Sequence, residues 1–401
     1  MALIVQKFGG SSVADAAKVN NVANRVVETA RNGNKVVVVV SAQGDTTDDL
    51  IAKAEEINPS ASLREMDMLL SSGEQISIAL LAMAIEKLHH PVISLTGWQA
   101  GFKTNAVSGN ARIDRIDTER MKAELDRNNI VIVAGFQGVN KYDDITTLGR
   151  GGSDTSAVAI AAALNADKCE IYTDVDGVYT ADPRIVKDAQ KLEEITYDEM
   201  LELASLGANV LHNRSVEMAK KYNVKLEVKS SFEKIDGTVV KEVTKVEKML
   251  IRGVARDNDV ARIAVVGVED TPGIAFKIFS ELAKKGINVD MILQSIGREG
   301  TKDIAFTVTK AKMKATLDAL EELKDTLSYQ EVNSRDDLSK VSIVGAGMVT
   351  NPGVAAKMFE ALFAADINIH MIATSEIKVS VLINQSKAEK AVQVIHDKFN
   401  V

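Results

Sequence analysis

The sequence predicts an α/β fold: a three-layer αβα sandwich with a central, mostly parallel sheet, followed by two small repeated domains. Three observations support this prediction. Up to about residue 235, apolar strand patterns alternate with helical patterns. Several strands are continuous apolar runs, such as Val36–Val40, which is typical of strands that helices cover on both faces. Further along, the turn Pro272-Gly273 recurs as Pro352-Gly353, which indicates an internal repeat.

The elements of the first part follow from the spacing of its apolar residues. The predicted strands are Ala2–Gln6, Lys35–Ser41, Val92–Leu95, Ile130–Ala134, Cys169–Thr173 and Lys225–Lys229. The predicted helices are Val13–Arg31, Thr46–Ala54, Leu63–Leu88, Thr118–Arg127, Thr155–Leu164, Tyr197–Leu206 and Ser215–Tyr222. This alternation of strand and helix is the pattern of a mostly parallel sheet.

Residues 236–250 are charged and contain few large apolar side chains, so we interpret them as a linker. The linker divides the chain into a first domain at 1–235 and two repeated domains at 251–330 and 331–401. Each repeat reads as a strand, the Pro-Gly turn, a helix and two further strands, and a C-terminal strand near Val392–Ile395 is a candidate to complete the first repeat. Units this small are expected to pack on each other or on a second chain. Two structural modules without a ligand are the alternative reading of the repeat.

Composition limits the class of protein. The chain has 401 residues and a net charge of −8, which argues against a general nucleic-acid binder. No apolar run approaches the ~18 residues of a membrane span, and no basic leader is visible, so we expect no membrane association and a cytoplasmic protein. The single cysteine, Cys169, excludes a disulfide framework and a thiolate metal cluster.

The first cluster of candidate site residues is Lys7-Phe8-Gly9-Gly10-Ser11-Ser12, which joins the first strand to a helix. The glycines let backbone N–H groups approach an anion, Ser11 or Ser12 can cap the helix, and Lys7 adds a positive charge. These features predict a phosphate cradle. Taken alone, glycine turns of this kind are more often plain connections.

Two further clusters carry similar chemistry. The segment Gly149–Ser156 places Arg150, glycines and Ser153 before an alanine-rich helix, which again favours an anion at a helix N-terminus. Asp154 in this segment is a candidate for a metal ion or an ammonium group, or only an acid that complements the helix dipole. The segment Thr173–Arg184 follows a strand, where open α/β sheets bind ligands, although its Asp-Gly and Asp-Pro pairs also suit a simple polar turn.

The fourth cluster, Ser71-Ser72-Gly73-Glu74, interrupts an otherwise helical pattern. Glu74 has apolar neighbours on both sides in sequence, so it is a candidate to bind a cation or an ammonium group. On its own, it is more simply explained as a residue at the start of a helix.

These four clusters, in this order and spacing, resemble the aspartokinase family of the amino-acid kinases, and the resemblance covers the whole chain. The repeat is similar to the paired ACT regulatory domains of that family, each ferredoxin-like with βαββαβ order. The resemblance implies transfer of the γ-phosphoryl group of ATP, with Mg²⁺, to the β-carboxylate of L-aspartate. The product, 4-phospho-L-aspartate, feeds lysine, threonine and methionine synthesis.

The resemblance also implies roles for residues. Lys7 and Asp154 are implied in catalysis, Lys7 by stabilising the transferring phosphoryl group and Asp154 by orienting Lys7 or the metal, and no protein ligand is assigned to the metal itself. The residues implied for ATP are Lys7, Phe8, Gly9, Gly10, Ser11, Ser41, Thr173, Asp174, Tyr179 and Arg184. The residues implied for aspartate are Thr47, Glu74 for the ammonium group, Leu125, Asp126, Arg150 for the α-carboxylate, Gly151, Gly152 and Ser153. The nucleophile is a carboxylate with a pKa of about 4, so no general base is needed.

The ACT resemblance implies feedback inhibition by lysine, threonine or both, and a homo-oligomer formed through these domains. The implied effector contacts are Asp270, Gly273, Ile274, Ala275, Asn288 and Gln294 in the first repeat and Asn368, Ile369, Ser375 and Glu376 in the second. Met249, at the end of the linker, is a candidate start for a separately translated regulatory chain.

One segment departs from the family pattern. Asn209 and Asn213 stand where related sequences often have lysine and proline, so any role of position 209 in binding ATP is in doubt. Two alternatives stay open: a kinase acting on glutamate or acetylglutamate, and an amino-acid-sensing protein without catalysis. The pair Gly345 and Gly347 resembles a dinucleotide fingerprint, but position 350 is a threonine, so a dehydrogenase is disfavoured.

Overall fold

The computed structural model describes residues 1–206, 210–242, 251–295, 297, 300–348 and 351–400. These residues form two compact units. The first unit contains residues 1–178, 191–205 and 210–242. The second contains residues 179–190, residue 206 and the described residues from 251 onward. The chain therefore enters the second unit briefly after residue 178 before it returns to complete the first.

The first unit is built on an eight-stranded sheet in the order β10-β12-β11-β9-β1-β2-β6-β3 and a four-stranded sheet in the order β5-β4-β7-β8. Its strands are β1 (Leu3–Phe8), β2 (Lys35–Val40), β3 (Val92–Leu95), β4 (Phe102–Thr104), β5 (Ile113–Ile116), β6 (Ile130–Ala134), β7 (Gln137–Val139), β8 (Ile145–Thr147), β9 (Lys168–Thr173), β10 (Glu194–Thr196), β11 (Leu226–Ser230) and β12 (Thr238–Lys241). Its helices are α1 (Ala16–Arg31), α2 (Thr46–Ile57), α3 (Leu63–Glu86), α4 (Glu119–Asp126), α5 (Gly152–Leu164), α6 (Tyr197–Ser205) and α7 (Asn213–Tyr222).

Every pairing in the large sheet is parallel except that of β11 with β12, so the predicted sandwich with a mostly parallel sheet is confirmed. Helices α1 and α3 pack on one face against Phe8 and the even-numbered valines of β2. Helix α5 packs on the other face against β1, β2 and β9 and is buried along most of its length. Alternate residues of β1 therefore face two different helical layers, which matters for Lys7.

The structure corrects three details of the predicted elements. Residues Gly10–Val13 form a short 3-10 helix, and α1 begins later with Asp15 as its N-cap, which accepts from the Lys18 backbone N–H at 2.9 Å. Ser11 and Ser12 therefore do not cap α1. Residues 71–74 do not interrupt the helical pattern, because α3 continues through them.

Helix α3 contains Gly73 at the point where it packs closely against Ala42, in the loop after β2. A Cβ on Gly73 would lie 2.8 Å from the Cβ of Ala42, so only glycine allows this contact. Helix α3 is also the one helix of the described residues that is long and apolar enough to span a membrane, by length and composition alone. Core helices of soluble proteins pass the same test, and the buried residues of α3 include Asp67 and Glu74.

The second unit contains two four-stranded antiparallel sheets, in the orders β15-β16-β14-β17 and β13-β18-β20-β19. Its strands are β13 (Gly253–Asp257), β14 (Ala261–Glu269), β15 (Ile292–Gln294), β16 (Thr301–Val308), β17 (Glu331–Arg335), β18 (Leu338–Val344), β19 (Met371–Thr374) and β20 (Lys378–Asn384). Its helices are α8 (Ile274–Lys284), α9 (Met313–Glu322), α10 (Lys324–Leu327), α11 (Val354–Ala364) and α12 (Ala388–Phe399).

The two repeats exchange strands. β13 precedes the first repeat in sequence but pairs with β18 in the second sheet, and β17 follows residue 330 but pairs with β14 in the first sheet. The predicted strand near Val392–Ile395 is wrong, because these residues lie in α12. The interpretation of 236–250 as a linker is also wrong in part, because Thr238–Lys241 forms β12 of the large sheet. Residues 243–250, with Met249, lie outside the described residues.

Candidate active site

The site predicted at the carboxyl end of the sheet begins with β1, which lies between β9 and β2. The three strands run parallel, so Phe8, Val40 and Tyr172 come to the same edge. The segments that follow β1 and β2 start at Gly9 and Ser41, and Thr173 ends β9, so these three residues lie at this edge. Open α/β sheets bind their ligands at this position.

Lys7 and Asp154 form a close ion pair at this edge. Their charged groups, Nζ and Oδ1, are 2.7 Å apart, and both side chains are close to 90% buried, with exposures of 11% and 12%. Lys7 reaches Asp154 because its side chain points to the α5 face of the sheet, and Asp154 lies in the first turn of α5. The geometry thus brings the first and the second glycine-rich cluster together through opposite charges.

The glycines of the first cluster differ in how tightly they are held. A Cβ on Gly10 would lie 2.6 Å from the Ala42 carbonyl oxygen, and Gly10 accepts a backbone hydrogen bond from Gly44 at 3.0 Å. Only glycine permits this approach to the loop after β2. A Cβ on Gly9 would instead make an ordinary contact, at 3.5 Å from Lys7 Nζ. Gly9 therefore lies directly beside the lysine ammonium group.

The neighbouring serines have different surroundings. Ser11 is exposed at the end of the Lys7–Ser11 cradle, whereas Ser12 is buried, with its hydroxyl oxygen 2.5 Å from that of Ser231. Ser41 donates its backbone N–H to the Phe8 carbonyl at 3.2 Å, and Thr47 lies half-buried in the first turn of α2. These positions place Ser11, Ser41 and Thr47 around one edge of the sheet.

The second glycine-rich cluster turns the chain sharply into α5. Gly149 and Gly151 have left-handed φ angles of 78° and 63°, and Gly151 is the N-cap of the helix. The first backbone N–H groups of a helix have no partner within it, so this end favours an anion. Arg150 is exposed between the two glycines, and Ser153 is buried in the first turn.

Glu74 lies on the inner side of α3 and is 3% exposed. Its Oε1 accepts a hydrogen bond from the Ala42 backbone N–H at 3.1 Å, while Oε2 is buried with no partner among the described residues. Burial raises the pKa of this carboxyl to about 7. A buried carboxylate oxygen without a donor is suited to receive a cation or an ammonium group.

The third cluster is divided between the two units. Thr173 and Asp174 belong to the first unit, where the Thr173 hydroxyl donates to the Asp174 carboxylate at 3.0 Å. Tyr179 and Arg184 belong to the second unit, where the Arg184 guanidinium pairs with Asp182 at 2.8 Å. That pairing lowers the pKa of Asp182.

Two predicted residues are not brought to this edge. Asp126, at the end of α4, is exposed and forms an ion pair of 2.7 Å with Lys35, the first residue of β2. Leu125 is buried beside it. The start of β2 is at the opposite edge of the sheet from Ser41, so the geometry does not support a substrate contact for Leu125 or Asp126.

Sequence reasoning missed four residues that shape the site. Phe136 follows β6 with a φ of 69°, unusual for a non-glycine residue, and its N–H donates to the Ser156 hydroxyl at 3.1 Å. Gly135 leaves room for Ser153, whose hydroxyl would lie 2.7 Å from a Cβ at that position. His212 and Arg214 contact the second glycine-rich loop, and their proximity depends on tertiary packing. For Phe136 and Gly135, the glycine directly after a predicted apolar strand was the signal that the sequence offered.

The predicted effector residues fall at two ends of their sheets. Asp270, Gly273 and Gln294 lie where β14 and β15 end, with Gly273 (φ 97°) as the N-cap of α8. Asp270 is paired with Lys302 at 2.9 Å. Asn288, exposed in the connection before β15, lies at the other end of that sheet. The structure therefore does not gather all the residues of the first repeat at one place.

The second repeat has the same arrangement. Ser375 and Glu376 are exposed in the turn between β19 and β20, whereas Asn368 and Ile369 lie in the connection before β19.

Two further predicted effector residues, Ile274 and Ala275, begin α8 in the first repeat, and Ile274 is buried in the core of that repeat. The position of the family departure at Asn209 lies outside the described residues.

Within the part of the chain that the structure describes, no group of three or more histidine, cysteine, aspartate or glutamate side chains is placed to hold a metal ion. Asp154 is engaged with Lys7.

Comparison with known proteins gives consistent matches over the whole chain. The amino acid kinase family profile matches residues 2–230, and two ACT domain profiles match residues 262–326 and 341–399. The sequence is 52% identical to the aspartokinase of Bacillus sp. strain MGA3, covering 100% of this chain and 98% of the relative. It is 51% identical to aspartokinase 2 of Bacillus subtilis strain 168, with the same coverage.

Solved structures agree. The structure is similar to E. coli aspartokinase III in complex with aspartate and ADP in the R-state, with a TM-score of 0.86, 27% identity and coverage of 100% of both chains. It is also similar to the T-state complex of that enzyme with lysine and aspartate, with a TM-score of 0.77, 28% identity and coverage of 99% of both chains.

Proposed function

Because the chain belongs to the aspartokinase family, we propose that it transfers the γ-phosphoryl group of ATP to the β-carboxylate of L-aspartate and releases 4-phospho-L-aspartate and ADP. The enzymatic class, an ATP-dependent aspartate kinase, follows from full-length relatives of about 50% identity. The specific product and its use in lysine, threonine and methionine synthesis are parts of the proposal.

The observation that carries the proposal is the buried ion pair of Lys7 and Asp154, 2.7 Å apart beside Gly9. In this reaction an anionic carboxylate attacks an anionic phosphoryl group, so catalysis depends on neutralising charge and on positioning. Lys7 supplies the positive charge at the transferring group, and Asp154 fixes the direction of the ammonium group. No general base is required because the attacking carboxylate is already ionised.

Glu74 supports aspartate as the acceptor. Its unpartnered Oε2 offers a buried negative charge to the substrate ammonium group, which would lower the raised pKa of this carboxyl. Arg150 provides a cation for the α-carboxylate, and Ser153, with the glycines before it, lines the same loop. The ammonium group and the α-carboxylate of the substrate are then both held, and the β-carboxylate is free to react.

For ATP, we propose contacts from the Lys7–Ser11 cradle, Ser41, Thr173 and Asp174, which all belong to the first unit. The roles implied for Tyr179 and Arg184, which belong to the second unit, stay predictions. Mg²⁺ usually binds through one or two carboxylates together with substrate phosphates, and the described residues offer no dedicated cage. We therefore place Mg²⁺ on the triphosphate, where it supplies charge neutralisation.

We further propose that lysine, threonine or both inhibit the enzyme through the ACT domains, that these domains form a homo-oligomer, and that the protein is cytoplasmic. The related E. coli enzyme is in its T-state in the complex with lysine and aspartate, which supports an amino acid effector. The separation of Asp270 and Gly273 from Asn288 within one sheet supports a shared site, because a second copy of the chain can supply the missing residues. A separate regulatory chain starting at Met249 stays a prediction.

An assay of ADP release tests the proposal. Aspartate should support turnover, and glutamate and acetylglutamate should not, with 4-phospho-L-aspartate identified by ³¹P NMR. Turnover with glutamate or acetylglutamate alone would overturn the assignment of substrate, and absence of turnover with all three would favour an amino-acid-sensing protein. Calorimetry with lysine and threonine, separately and together, tests the regulatory part.

A further inference from the structure

Helix α7 begins with two residues that contact the second glycine-rich loop and have no part in the mechanism above. His212 is the N-cap of α7, and Arg214 lies in its first turn. The 148–152 loop that they contact leads directly into the first turn of α5, and α5 and α7 pack against each other. Both residues therefore contact the loop from the start of α7.

Arg214 joins two separate segments of the chain. Its Nη1 donates to the Leu148 carbonyl at 2.9 Å, and its Nη2 donates to the Ala111 carbonyl at 2.8 Å. Leu148 immediately precedes the first glycine of the loop. Two parallel donors in a fixed plane are a property of the guanidinium group, and a lysine ammonium group does not reproduce that geometry. Arg214 thus fixes the point from which the glycine-rich loop departs.

His212 holds the other end of the same loop by contact. A Cβ on Gly151 would lie 2.2 Å from His212 Cγ, so the imidazole side chain occupies the space beside this glycine. Gly151 has a left-handed φ of 63°, and the adjacent ring prevents it from moving outward. Burial lowers the pKa of His212, and the nearby charges of Arg214 and Arg150 act in the same direction.

We propose that His212 and Arg214 are positioning residues for phosphoryl transfer, which clamp the 148–152 loop so that Arg150 and Asp154 keep their places. Asp154 follows this loop by two residues and holds Lys7 at 2.7 Å, so a displacement of the loop would reach the reacting centre. The inference rests on the proposed function, because activity is measured with aspartate.

The first test is Arg214→Met, with Arg214→Lys as a milder change and Lys220→Met, exposed on the same helix, as the matched control. We expect the kcat/KM for aspartate to fall at least tenfold in Arg214→Met and less in Arg214→Lys. ADP affinity by calorimetry should stay within about twofold, since the hydrogen bonds of Arg214 go to Leu148 and Ala111 and not to Gly9, Gly10 or Ser11. A kcat/KM within twofold of the wild type in Arg214→Met would overturn the proposed role.

The second test separates contact from chemistry at His212. His212→Ala should lower the kcat/KM for aspartate at least tenfold, and His212→Phe, which refills the space beside Gly151, should recover at least half of the activity. His89→Asn, at an exposed position, is the control. Failure of His212→Phe to recover activity would contradict a role by contact.

Hydrogen–deuterium exchange separates this inference from the proposed function. Peptides that cover residues 148–153 should exchange faster in Arg214→Met and His212→Ala than in the wild type or in Lys220→Met, and peptides from β1 should not. This readout does not require turnover. An inactive wild type would therefore reject the proposed function, whereas unchanged exchange in the 148–153 peptides would reject the clamp.

Discussion

Glu74 and Ala42 join helix α3 to the loop after β2: Glu74 Oε1 accepts the Ala42 backbone N–H at 3.1 Å. The other carboxylate oxygen is buried and has no donor among the described residues. One oxygen of this carboxylate thus stabilises the fold, and the other is available to a ligand. Replacing Glu74 should therefore change both the stability of the fold and the binding of substrate.

Glu74→Gln should change how stability depends on pH. The unfolded carboxyl ionises with a pKa near 4.5, whereas burial raises the folded value to about 7, so the folded chain retains its proton longer. Stability is therefore lost as pH rises from about 4.5 to about 7, with a full cost on the order of 3 kcal/mol above that window. Urea unfolding of the ligand-free protein at pH 5 and pH 8 measures this loss, which should shrink in Glu74→Gln.

The same substitution should raise the KM for aspartate at least tenfold, because a neutral amide does not pair with an ammonium group. The KM for ATP should change little. Glu86→Gln, exposed at the end of the same helix, is the matched control and should leave both KM values unchanged. An unaltered KM for aspartate in Glu74→Gln would remove Glu74 from the substrate site.

Lys7→Met should lower kcat by about 100- to 1,000-fold, because it removes a positive charge aimed at the transferring group. It should also destabilise the fold by roughly 3 kcal/mol, since Asp154 is left buried without its partner. Adding Asp154→Asn should restore stability without restoring activity. Thermal unfolding and the ADP-release assay measure the two effects separately, and Lys35→Met, in an exposed pair, should affect neither.

Gly10→Ala should destabilise the first unit by about 1–3 kcal/mol, because the new Cβ would lie 2.6 Å from the Ala42 carbonyl oxygen. Gly9→Ala is the matched control for stability. Its Cβ would meet the nearest atom at 3.5 Å, and its φ of −72° suits alanine. Equal unfolding midpoints for the two variants in urea would contradict the close approach of Gly10 to the loop after β2.

The buried His396 should make the stability of the second unit sensitive to acid. Its Nε2 is 2.9 Å from the Thr180 hydroxyl oxygen, and burial lowers its pKa below the usual 6.5. The unfolded histidine therefore binds its proton first, and stability is lost as pH falls below about 6.5. Hydrogen exchange of α12 peptides, corrected for the intrinsic effect of pH, should speed up at pH 5 in the wild type. The rise should be smaller in His396→Gln.

The sequence predicted six of the eight strands of the large sheet, most of them as runs of apolar residues, and missed β10 and β12. Val92–Leu95 and Ile130–Ala134 have the predicted bounds. The short strands β4, β7 and β8 were not predicted, since three residues carry no periodic signal. β4 also pairs with β7, which lies in a distant part of the sequence. The exchange of β13 and β17 was equally hidden, because the internal repeat describes each domain by itself.

The residues of the candidate site could be predicted only where the signal is local in sequence. Lys7, Gly9, Gly10, Arg150 and Asp154 were identified because glycine-rich turns next to charges are visible in sequence. Asp154 lies 2.7 Å from Lys7, and its role in orienting the lysine stays a prediction. His212 and Arg214 were not assigned a role, because their partners at Gly151 and Leu148 lie far away in sequence and only the packing of α7 on α5 brings them together.

The exchange of β13 and β17 has a consequence for how the second unit can be divided. A cut at residue 330, which the internal repeat suggests, would take β17 away from β14 and leave β13 without β18. Each fragment would then expose a strand edge made for a partner on the other fragment. The two ACT domains are therefore separable in sequence but not as folded pieces, and any gene fusion, truncation or domain transplant has to carry both together.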